Sequence, residues 1–241
     1  MIAALVVAAV AARASALSNP MKDCCKMPLK VGFYTESFDP FYLWDDETQA
    51  RTGGLLAIEE MILDVMGFDV EWIPMGTVAD AKVAADYVEE LGVPWSRVIL
   101  YGFSLGNGPT CALAGDVLRG RGLRGVILRS GFVSGVAAGT DLVQRYAASY
   151  VPAGALPSWM DVWPNEKRCA DFDAPTLVVH GSRDELLSMW HAERLLAALP
   201  EGRRAAPFFE DMGHFDVERH PAYVPRLRTF IHGETAKAPA S

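Results

Sequence analysis

The stretch Arg97-Val-Ile-Leu-Tyr-Gly-Phe-Ser-Leu-Gly106 decides the fold of this chain. A nearly all-apolar strand pattern ends here in Gly-x-Ser-x-Gly, and a helical pattern follows over residues 109–119. In such a strand–turn–helix unit the serine lies on a strained turn, which the flanking glycines allow to be tight. The following helix directs its N-terminus at the site and favours developing negative charge. The pattern predicts Ser104 as a nucleophile, and the alternative is an ordinary Gly/Ser loop.

A serine nucleophile needs a general base, and that base needs a carboxylate to orient it. Asp184 lies in the turn after the apolar strand pattern that ends at His180, and His214 follows the last strand pattern. Serine, aspartate and histidine in this chain order are typical of a triad on such a turn. Because each follows a strand, we expect all three at the same edge of the sheet. Glu185 is the alternative acid, and we expect its side chain to point the other way.

The remaining histidines are not predicted to take part in catalysis. We expect His180 to be a packing or turn residue, His191 and His220 to be solvated, and His232 to lie in the tail. Cys111 falls inside the helix after the serine and is predicted to be buried. The sequence contains no metal-ligand spacing and no phosphate-binding glycine loop, so it predicts neither a metal site nor a cofactor.

Strand-like and helix-like segments alternate from about residue 29. Alternation of this kind predicts the α/β class, with a mostly parallel sheet and helices on both faces. Residues 132–173 interrupt the alternation and are predicted to form a small cap or an extended connection. Strands are predicted at 29–35, 69–74, 97–101, 125–129, 176–180 and 206–210, and helices at 55–66, 79–91, 109–119, 190–199 and 222–231.

Composition excludes several classes of protein. Apolar residue types make up 51% of the 241 residues, which argues against general disorder. Lys and Arg number 22 against 30 Asp and Glu, and the formal charge of −8 argues against nucleic acid as a partner. Four cysteines are too few for a scaffold that depends on disulfides.

The first twenty residues have the pattern of a targeting segment. Residues 1–12 are an unbroken apolar run, too short to cross a bilayer as a helix, and Ala14-Ser-Ala16 supplies small residues for a signal peptidase. We predict a signal or targeting segment over residues 1–20, and the alternative is an Ala-rich helix packed on the domain. A cleaved leader places the protein in the secretory pathway or an organelle lumen; an uncleaved one leaves it membrane-associated or cytoplasmic.

Two adjacent cysteines, Cys24 and Cys25, follow this segment. Acyl chains on these thiols would tether the protein peripherally to a membrane. In an oxidising compartment each thiol would need a different disulfide partner. The simplest interpretation is two free thiols in a loop.

From about residue 81 to 231 the chain resembles the α/β-hydrolase superfamily, above all the branch of membrane-associated protein depalmitoylases and related serine-peptidase-like hydrolases. The resemblance implies Ser104 as nucleophile, Asp184 as orienting acid and His214 as general base. It also implies ester or thioester substrates, among them fatty-acylated protein cysteines. The residues that carry it are 97–110, 125–131, 163–165, 174–184 and 213–218.

The chain departs from this family at three places. Phe103 replaces the usual Gln before the serine, and Phe215 replaces the usual Asn after the histidine. Both changes are expected to make the mouth of the site more apolar, which suits a fatty acyl chain. The family's opening strands and oxyanion-loop motif have no counterpart before Ala81.

Residues 28–76 resemble instead the first lobe of periplasmic solute-binding proteins and ionotropic glutamate-receptor ligand domains. Residues 28–34, Asp39-Pro-Phe41, Thr52-Gly-Gly54 and residues 65–72 carry this likeness. The sequence thus suggests a natural fusion or a misjoined gene model with a seam near residues 76–82. The predicted units are a targeting segment at 1–20, a solute-binding-lobe-like segment at 21–80, a hydrolase domain at 81–232 and a flexible tail at 233–241.

The front segment also has the order of elements needed to complete a hydrolase sheet, since β-α-β-α leads into the strand before Ser104. The loop after its first strand, at Glu36 and Ser37, would then supply an oxyanion N–H beside that of Leu105. Loss of one such donor costs about 10²–10³ in rate. An acidic Glu36 disfavours an oxyanion, so the sequence predicts weak or no activity unless that loop is well placed.

Three functions follow from these patterns. The first is a serine hydrolase that cleaves an ester or thioester of a small molecule or an acylated protein. The second is a catalytically impaired binding protein on the same scaffold. The third is a solute-binding or receptor-like module, suggested by residues 28–76 alone. The complete set of Ser104, Asp184 and His214 favours the first.

Overall fold

The computed structural model describes residues 5–8, 29–35, 70–72, 78–90, 92–146, 161 and 163–234. Seven strands of this part of the chain form one sheet. They are β1 (Leu5–Ala8), β2 (Leu29–Thr35), β3 (Val70–Trp72), β4 (Val98–Phe103), β5 (Gly125–Arg129), β6 (Thr176–Gly181) and β7 (Phe208–Glu210).

Helices connect these strands. The α-helices are α1 (Val78–Glu90), α2 (Asn107–Ala112), α3 (Gly135–Tyr146), α4 (Asn165–Cys169), α5 (Met189–Ala198) and α6 (Tyr223–Arg228). Short 3₁₀ turns lie at Trp95–Arg97, Ser104–Gly106, Glu201–Arg203 and Val217–Arg219, and π-helical turns lie at Leu113–Val117 and Thr229–Glu234.

The sheet is mostly parallel, as the alternation of elements predicts. Its order is β1-β2-β4-β5-β6-β7, with β3 paired to β2. Only β1 is antiparallel to its neighbour among the described strands. Because β2, β4, β5, β6 and β7 are parallel, their carboxyl ends meet at one edge, and the loops that follow them converge there.

Strands β2 and β3, from the front segment, belong to the same sheet as β4. Phe33 of β2 pairs with Gly102 of β4, so the end of β2 at Thr35 lies beside the turn at Ser104. The expectation that this segment completes the sheet is confirmed for these two strands. The predicted helix at 55–66 lies outside the described residues, and the division into units at residue 80 stays a prediction.

Helices cover both faces of the central strands, which explains why β4 and β5 read as continuous apolar runs. Alternate residues point to opposite faces. Leu100 and Leu128 pack on the face covered by α1, α2 and α5, with Ala81, Cys111 and Leu195. On the other face Ile99 and Ile127 pack with Tyr223 and Phe230. The predicted burial of Cys111 is confirmed.

Several elements differ from the sequence expectations. The helix expected at 109–119 begins five residues earlier, as a 3₁₀ turn at Ser104, and ends as a π-turn at Val117. The segment 132–173 contains α3 and α4. Residues 5–8 form a strand rather than part of an Ala-rich helix, because Leu-Val-Val favours extended backbone. Whether residues 1–20 are a targeting segment stays a prediction.

The described part of the chain contains no helix that is both long enough and apolar enough to span a membrane.

Gly181, the last residue of β6, lies in a close approach between two loops. A β-carbon at this position would lie 2.1 Å from the Met212 carbonyl oxygen and 2.6 Å from that of Gly213. Both of these oxygens belong to rigid backbone. We therefore expect Gly181→Ala to lower the free energy of unfolding by about 2–3 kcal/mol, measured by urea denaturation.

Gly139→Ala is the matched control, because Gly139 is exposed in α3 and a β-carbon there would have nothing within 4 Å. We expect this variant to be neutral or more stable by up to about 1 kcal/mol, since alanine favours helix. Equal stability of the two variants would contradict the close approach at Gly181.

Candidate active site

Ser104 occupies a strained turn directly after β4. Its φ is +50°, a left-handed conformation that non-glycine residues rarely adopt. The turn is also tight. A β-carbon at Gly102 would lie 2.7 Å from Thr110 Oγ1 and 3.1 Å from Asn107 Cα. Glycine before the serine is thus required by the approach of α2 to β4, and the turn holds the serine side chain at the carboxyl edge of the sheet.

The structure brings the three predicted side chains together. His214 Nε2 lies 3.0 Å from Ser104 Oγ, and His214 Nδ1 lies 2.7 Å from Asp184 Oδ2. Because the carboxylate accepts from Nδ1–H, the neutral ring leaves Nε2 free to accept the serine proton. Ser104 is 6% exposed, Asp184 4% and His214 1%, so these hydrogen bonds are shielded from water.

Backbone groups hold the carboxylate of Asp184 in its turn. Its Oδ1 accepts from the N–H groups of Leu186 at 2.9 Å and Leu187 at 2.8 Å, while Oδ2 faces His214. Burial by itself raises the pKa of Asp184, but the charge and hydrogen bond of His214 and the Leu187 N–H outweigh it. The pKa of Asp184 is therefore lowered, and the group is ionised at neutral pH.

Glu185 contacts the histidine loop and not the histidine ring. Its Oε2 accepts from the backbone N–H of His214 at 3.1 Å. The expectation that this side chain points the other way is wrong, because it reaches the loop that carries His214, although the ring itself bonds to Asp184. The contact with the backbone was not anticipated, and it fixes the main chain from which the ring projects.

The two phenylalanines occupy different places. Phe103 is 1% exposed, and its ring centroid lies 5.3 Å from that of His214. The expectation that it lines the mouth of the site is wrong, because the last position of β4 points into the core. Phe215 is half-buried, and its ring lies edge-on to that of His214 at 4.6 Å. It alone of the pair has some solvent access.

A buried ion pair lies beneath Phe103. Arg129 at the end of β5 pairs with Glu218, and both side chains are 0% exposed. The Arg129 guanidinium carbon lies 4.2 Å from the centroid of the Phe103 ring. This pair is not among the residues predicted from the sequence, although a charge that ends the apolar strand Gly-Val-Ile-Leu-Arg indicates that the arginine is buried and paired. The pair joins β5 to the segment just after His214.

Helix α3 reaches the turn that carries Asp184. Asp141 accepts from the N–H of Ser188 at 2.8 Å, and Arg145 Nη1 donates to the Asp184 carbonyl oxygen at 3.0 Å. His191 also lies here, with Nε2 3.5 Å from Asp141 Oδ2. The expectation that His191 is solvated is wrong, because it is 0% exposed beneath α3. Its burial could not be read from its charged neighbours in sequence.

The other three histidines differ in their exposure to solvent. His180 is fully buried, which agrees with a packing role. His220 is partly exposed and lies edge-on to Phe208, so it is less solvated than expected. His232 is exposed but belongs to a π-helical turn rather than to the tail.

The predicted oxyanion residues are only in part described. Leu105 lies at the start of the 3₁₀ turn after Ser104, where backbone N–H groups have no acceptor within their own helix. Glu36 and Ser37 lie outside the described residues, as do Cys24 and Cys25. Among the residues that the structure describes, no group of three or more His, Cys, Asp or Glu side chains is placed to hold a metal ion.

Strain at Ser104 predicts a difference between two variants that both lack the hydroxyl. Alanine keeps the penalty of a left-handed backbone, whereas glycine does not. We expect Ser104→Gly to be more stable than Ser104→Ala by about 0.5–1 kcal/mol, despite the greater freedom of glycine in the unfolded chain. Thermal denaturation of the two purified proteins measures this difference. A more stable alanine variant would contradict the strained turn.

His191 predicts a loss of stability in mild acid. Burial lowers its pKa from 6.5 to about 4, although the charge of Asp141 opposes this. The unfolded chain therefore binds the proton first as pH falls. The resulting stability is complete above pH 6.5 and is lost between pH 6.5 and about 4.

Urea denaturation at pH 7 and pH 4 measures this effect. We expect His191→Gln to remove up to about 3 kcal/mol of the pH-dependent loss seen in the wild type. His220→Gln, which removes a partly exposed histidine, is the control for the substitution itself. If His191→Gln loses as much stability between pH 7 and pH 4 as the wild type does, a buried neutral ring is contradicted.

No protein-family model matches the chain. Among curated proteins it is similar to alpha/beta hydrolase domain-containing protein aho-3 of Caenorhabditis elegans, with 32% identity over 160 residues, 66% of this chain and 43% of the relative. Human alpha/beta hydrolase domain-containing protein 17C is 31% identical over 145 residues, 59% of this chain and 39% of the relative. The chain thus spans less than half the length of these relatives.

Solved structures share the fold. The monoacylglycerol lipase of Paleococcus ferrophilus superposes with a TM-score of 0.51 and 17% identity over 78% of this chain and 89% of that chain. The esterase domain of a Rhodothermus marinus protein superposes with a TM-score of 0.52 and 16% identity, over 73% of this chain and 78% of that chain. These similarities in sequence and architecture agree with the resemblance to α/β-hydrolases noted above for segments between residues 97 and 218. The described part of the chain therefore has the α/β-hydrolase fold, and its sequence is similar to those of α/β-hydrolase domain-containing proteins.

Proposed function

We propose that this protein is a serine hydrolase that cleaves carboxylic esters or thioesters through an acyl-enzyme on Ser104. The observation that carries the proposal is the continuous hydrogen-bonded chain from Ser104 Oγ to His214 and on to Asp184, with distances of 3.0 and 2.7 Å. Nucleophile, base and acid in hydrogen-bond reach of one another are the arrangement that nucleophilic catalysis needs.

In the proposed reaction Ser104 Oγ attacks the acyl carbonyl carbon while His214 Nε2 takes the hydroxyl proton. Asp184 stabilises the imidazolium that forms. The Leu105 N–H donates to the oxyanion of the tetrahedral intermediate. As this intermediate collapses, the bond to the leaving group breaks and His214 returns the proton to the departing oxygen or sulfur. Water, activated by His214, then hydrolyses the acyl-enzyme by the same steps.

Burial of the site supports this role. A shielded Asp184 carboxylate interacts more strongly with the His214 ring than an exposed one does, because little water screens it. The left-handed turn at Ser104 holds the nucleophile in place before substrate arrives. Pre-formed geometry of this kind avoids reorganisation during the reaction.

The proposed substrates are fatty-acylated protein cysteines or other acyl esters and thioesters. The resemblance to the depalmitoylase branch points to this class, and the half-buried Phe215 places an apolar ring beside His214. The second oxyanion donor is proposed to come from Glu36 or Ser37, because β2 ends beside the Ser104 turn. Acylated substrate, or acyl chains on Cys24 and Cys25, would bring the protein to a membrane surface.

A fluorophosphonate probe tests the nucleophile directly. We expect the probe to label the folded wild type and not Ser104→Ala, with thermal denaturation confirming that both proteins are folded. With p-nitrophenyl esters we expect Ser104→Ala and Asp184→Asn to lower kcat by about 10³-fold or more. Glu185→Gln is the matched control for Asp184→Asn, because the amide oxygen of glutamine can still accept the backbone N–H of His214.

The results separate the other functions from this one. Folded wild type that neither reacts with the probe nor hydrolyses any ester would refute the hydrolase and leave the impaired binding protein. Paired rates on S-acyl and O-acyl substrates of 2, 8 and 16 carbons then identify the substrate class. A rate that rises with acyl length and favours the thioester supports a depalmitoylase, and a preference for acetyl esters contradicts it.

A further inference from the structure

A second histidine lies against the carboxylate of Asp184. His180 is the fifth residue of β6, and its side chain is completely buried. Its Nε2 lies 3.1 Å from the Leu187 carbonyl oxygen and 3.4 Å from Asp184 Oδ2. The oxygen that accepts from His214 therefore also faces the ring of His180.

The neighbours of His180 determine its protonation. A carbonyl oxygen only accepts hydrogen bonds, so Nε2 of His180 must carry a hydrogen. Nδ1 has no hydrogen-bond partner among the described residues. Burial lowers the pKa of His180, although the charge of Asp184 opposes this, so the ring is neutral with its hydrogen on Nε2. The ring thus acts on Asp184 as a neutral donor and not as a cation.

This ring closes the turn that carries the acid. Leu187 donates its N–H to Asp184 Oδ1 at 2.8 Å, and its carbonyl accepts from His180. The turn from Asp184 to Leu187 is thereby closed by two contacts of Leu187. Its N–H bonds to the Asp184 carboxylate, and its carbonyl oxygen bonds to the His180 imidazole. Neither group can move without breaking a buried hydrogen bond, which is costly when no water replaces the partner.

We propose that His180 is a positioning residue that holds the Asp184 carboxylate in the orientation required by His214. The inference deepens the proposed serine hydrolase and rests on it for its effect on turnover. Its structural content, the orientation of the carboxylate, does not depend on activity. In this role His180 touches neither substrate nor the reacting atoms.

Other charged groups surround this pair. Arg145 of α3 donates to the Asp184 carbonyl oxygen, and Glu185 accepts from the His214 backbone. The Arg129–Glu218 pair lies against Phe103, whose ring packs on that of His214. The substitution of His180 alone leaves the chemical identity of all these groups unchanged. A change in the bond between His214 and Asp184 in such a variant therefore reports on His180.

The test is the low-field proton resonance of His214 Nδ1–H in ¹⁵N-histidine-labelled full-length protein at constant pH. This resonance reports directly on the hydrogen bond to Asp184 and needs no turnover. In His180→Leu we expect it to move upfield and to exchange faster with water, because the carboxylate loses a contact that orients it. His180→Gln should restore the wild-type signal, since the amide nitrogen reaches about the same place as Nε2.

His191→Leu is the matched control. It also removes a fully buried histidine, but one that accepts from the Val133 N–H and faces Asp141 rather than Asp184. We expect both leucine variants to lose thermal stability, and only His180→Leu to alter the His214 resonance. With an ester substrate, kcat of His180→Leu should fall about tenfold with KM unchanged, because orientation of the acid acts on the chemical step.

An unaltered His214 resonance in folded His180→Leu overturns the proposal. If that variant does not fold, the wild-type spectrum still tests the proposal, because it shows which ring nitrogen of His180 carries the hydrogen. A hydrogen on Nδ1 instead of Nε2 also overturns the proposal. If the His180 variants show the expected resonance changes but the wild type hydrolyses no ester, the positioning role is sustained and the proposed function is refuted. The two ideas can therefore fail separately.

Discussion

The hydrogen bond between His214 and Asp184 is the interaction on which the rest of the site depends. It joins two loops that follow neighbouring parallel strands, β6 and β7, and it spans 2.7 Å in a region closed to water. Low exposure strengthens the attraction between ring and carboxylate and makes any misalignment costly. The orientation of the ring toward Ser104 follows from this bond, because the two ring nitrogens lie on opposite sides.

Contacts from several directions keep these loops in place. Gly181 allows the backbone of Met212 to approach within a distance that no β-carbon permits. Glu185 fixes the main chain of His214, and Arg145 of α3 binds the carbonyl of Asp184. Each contact adds little energy in isolation, but together they restrict the two loops to one arrangement. The positions of the Asp184 and His214 side chains are therefore fixed before anything binds.

Buried charge is the other constraint on this part of the fold. Arg129 and Glu218 are both inaccessible, and removing one partner of such a pair typically costs about 3–5 kcal/mol because the other charge is left uncompensated. The guanidinium also supports the Phe103 ring, which in turn packs against His214. Stability and geometry at the histidine are therefore linked through residues that contribute no chemistry.

The α/β class, the tight turn at Ser104 and the chain order Ser104, Asp184, His214 were determined by the sequence, because strand periodicity and turn chemistry are local properties. The strand at 29–35 was predicted to the residue. Only the tertiary structure decided that His191 is buried, that Phe103 faces the core, and that His180 lies against the acid. These properties depend on which distant elements pack over a side chain, and neighbours in sequence do not encode that.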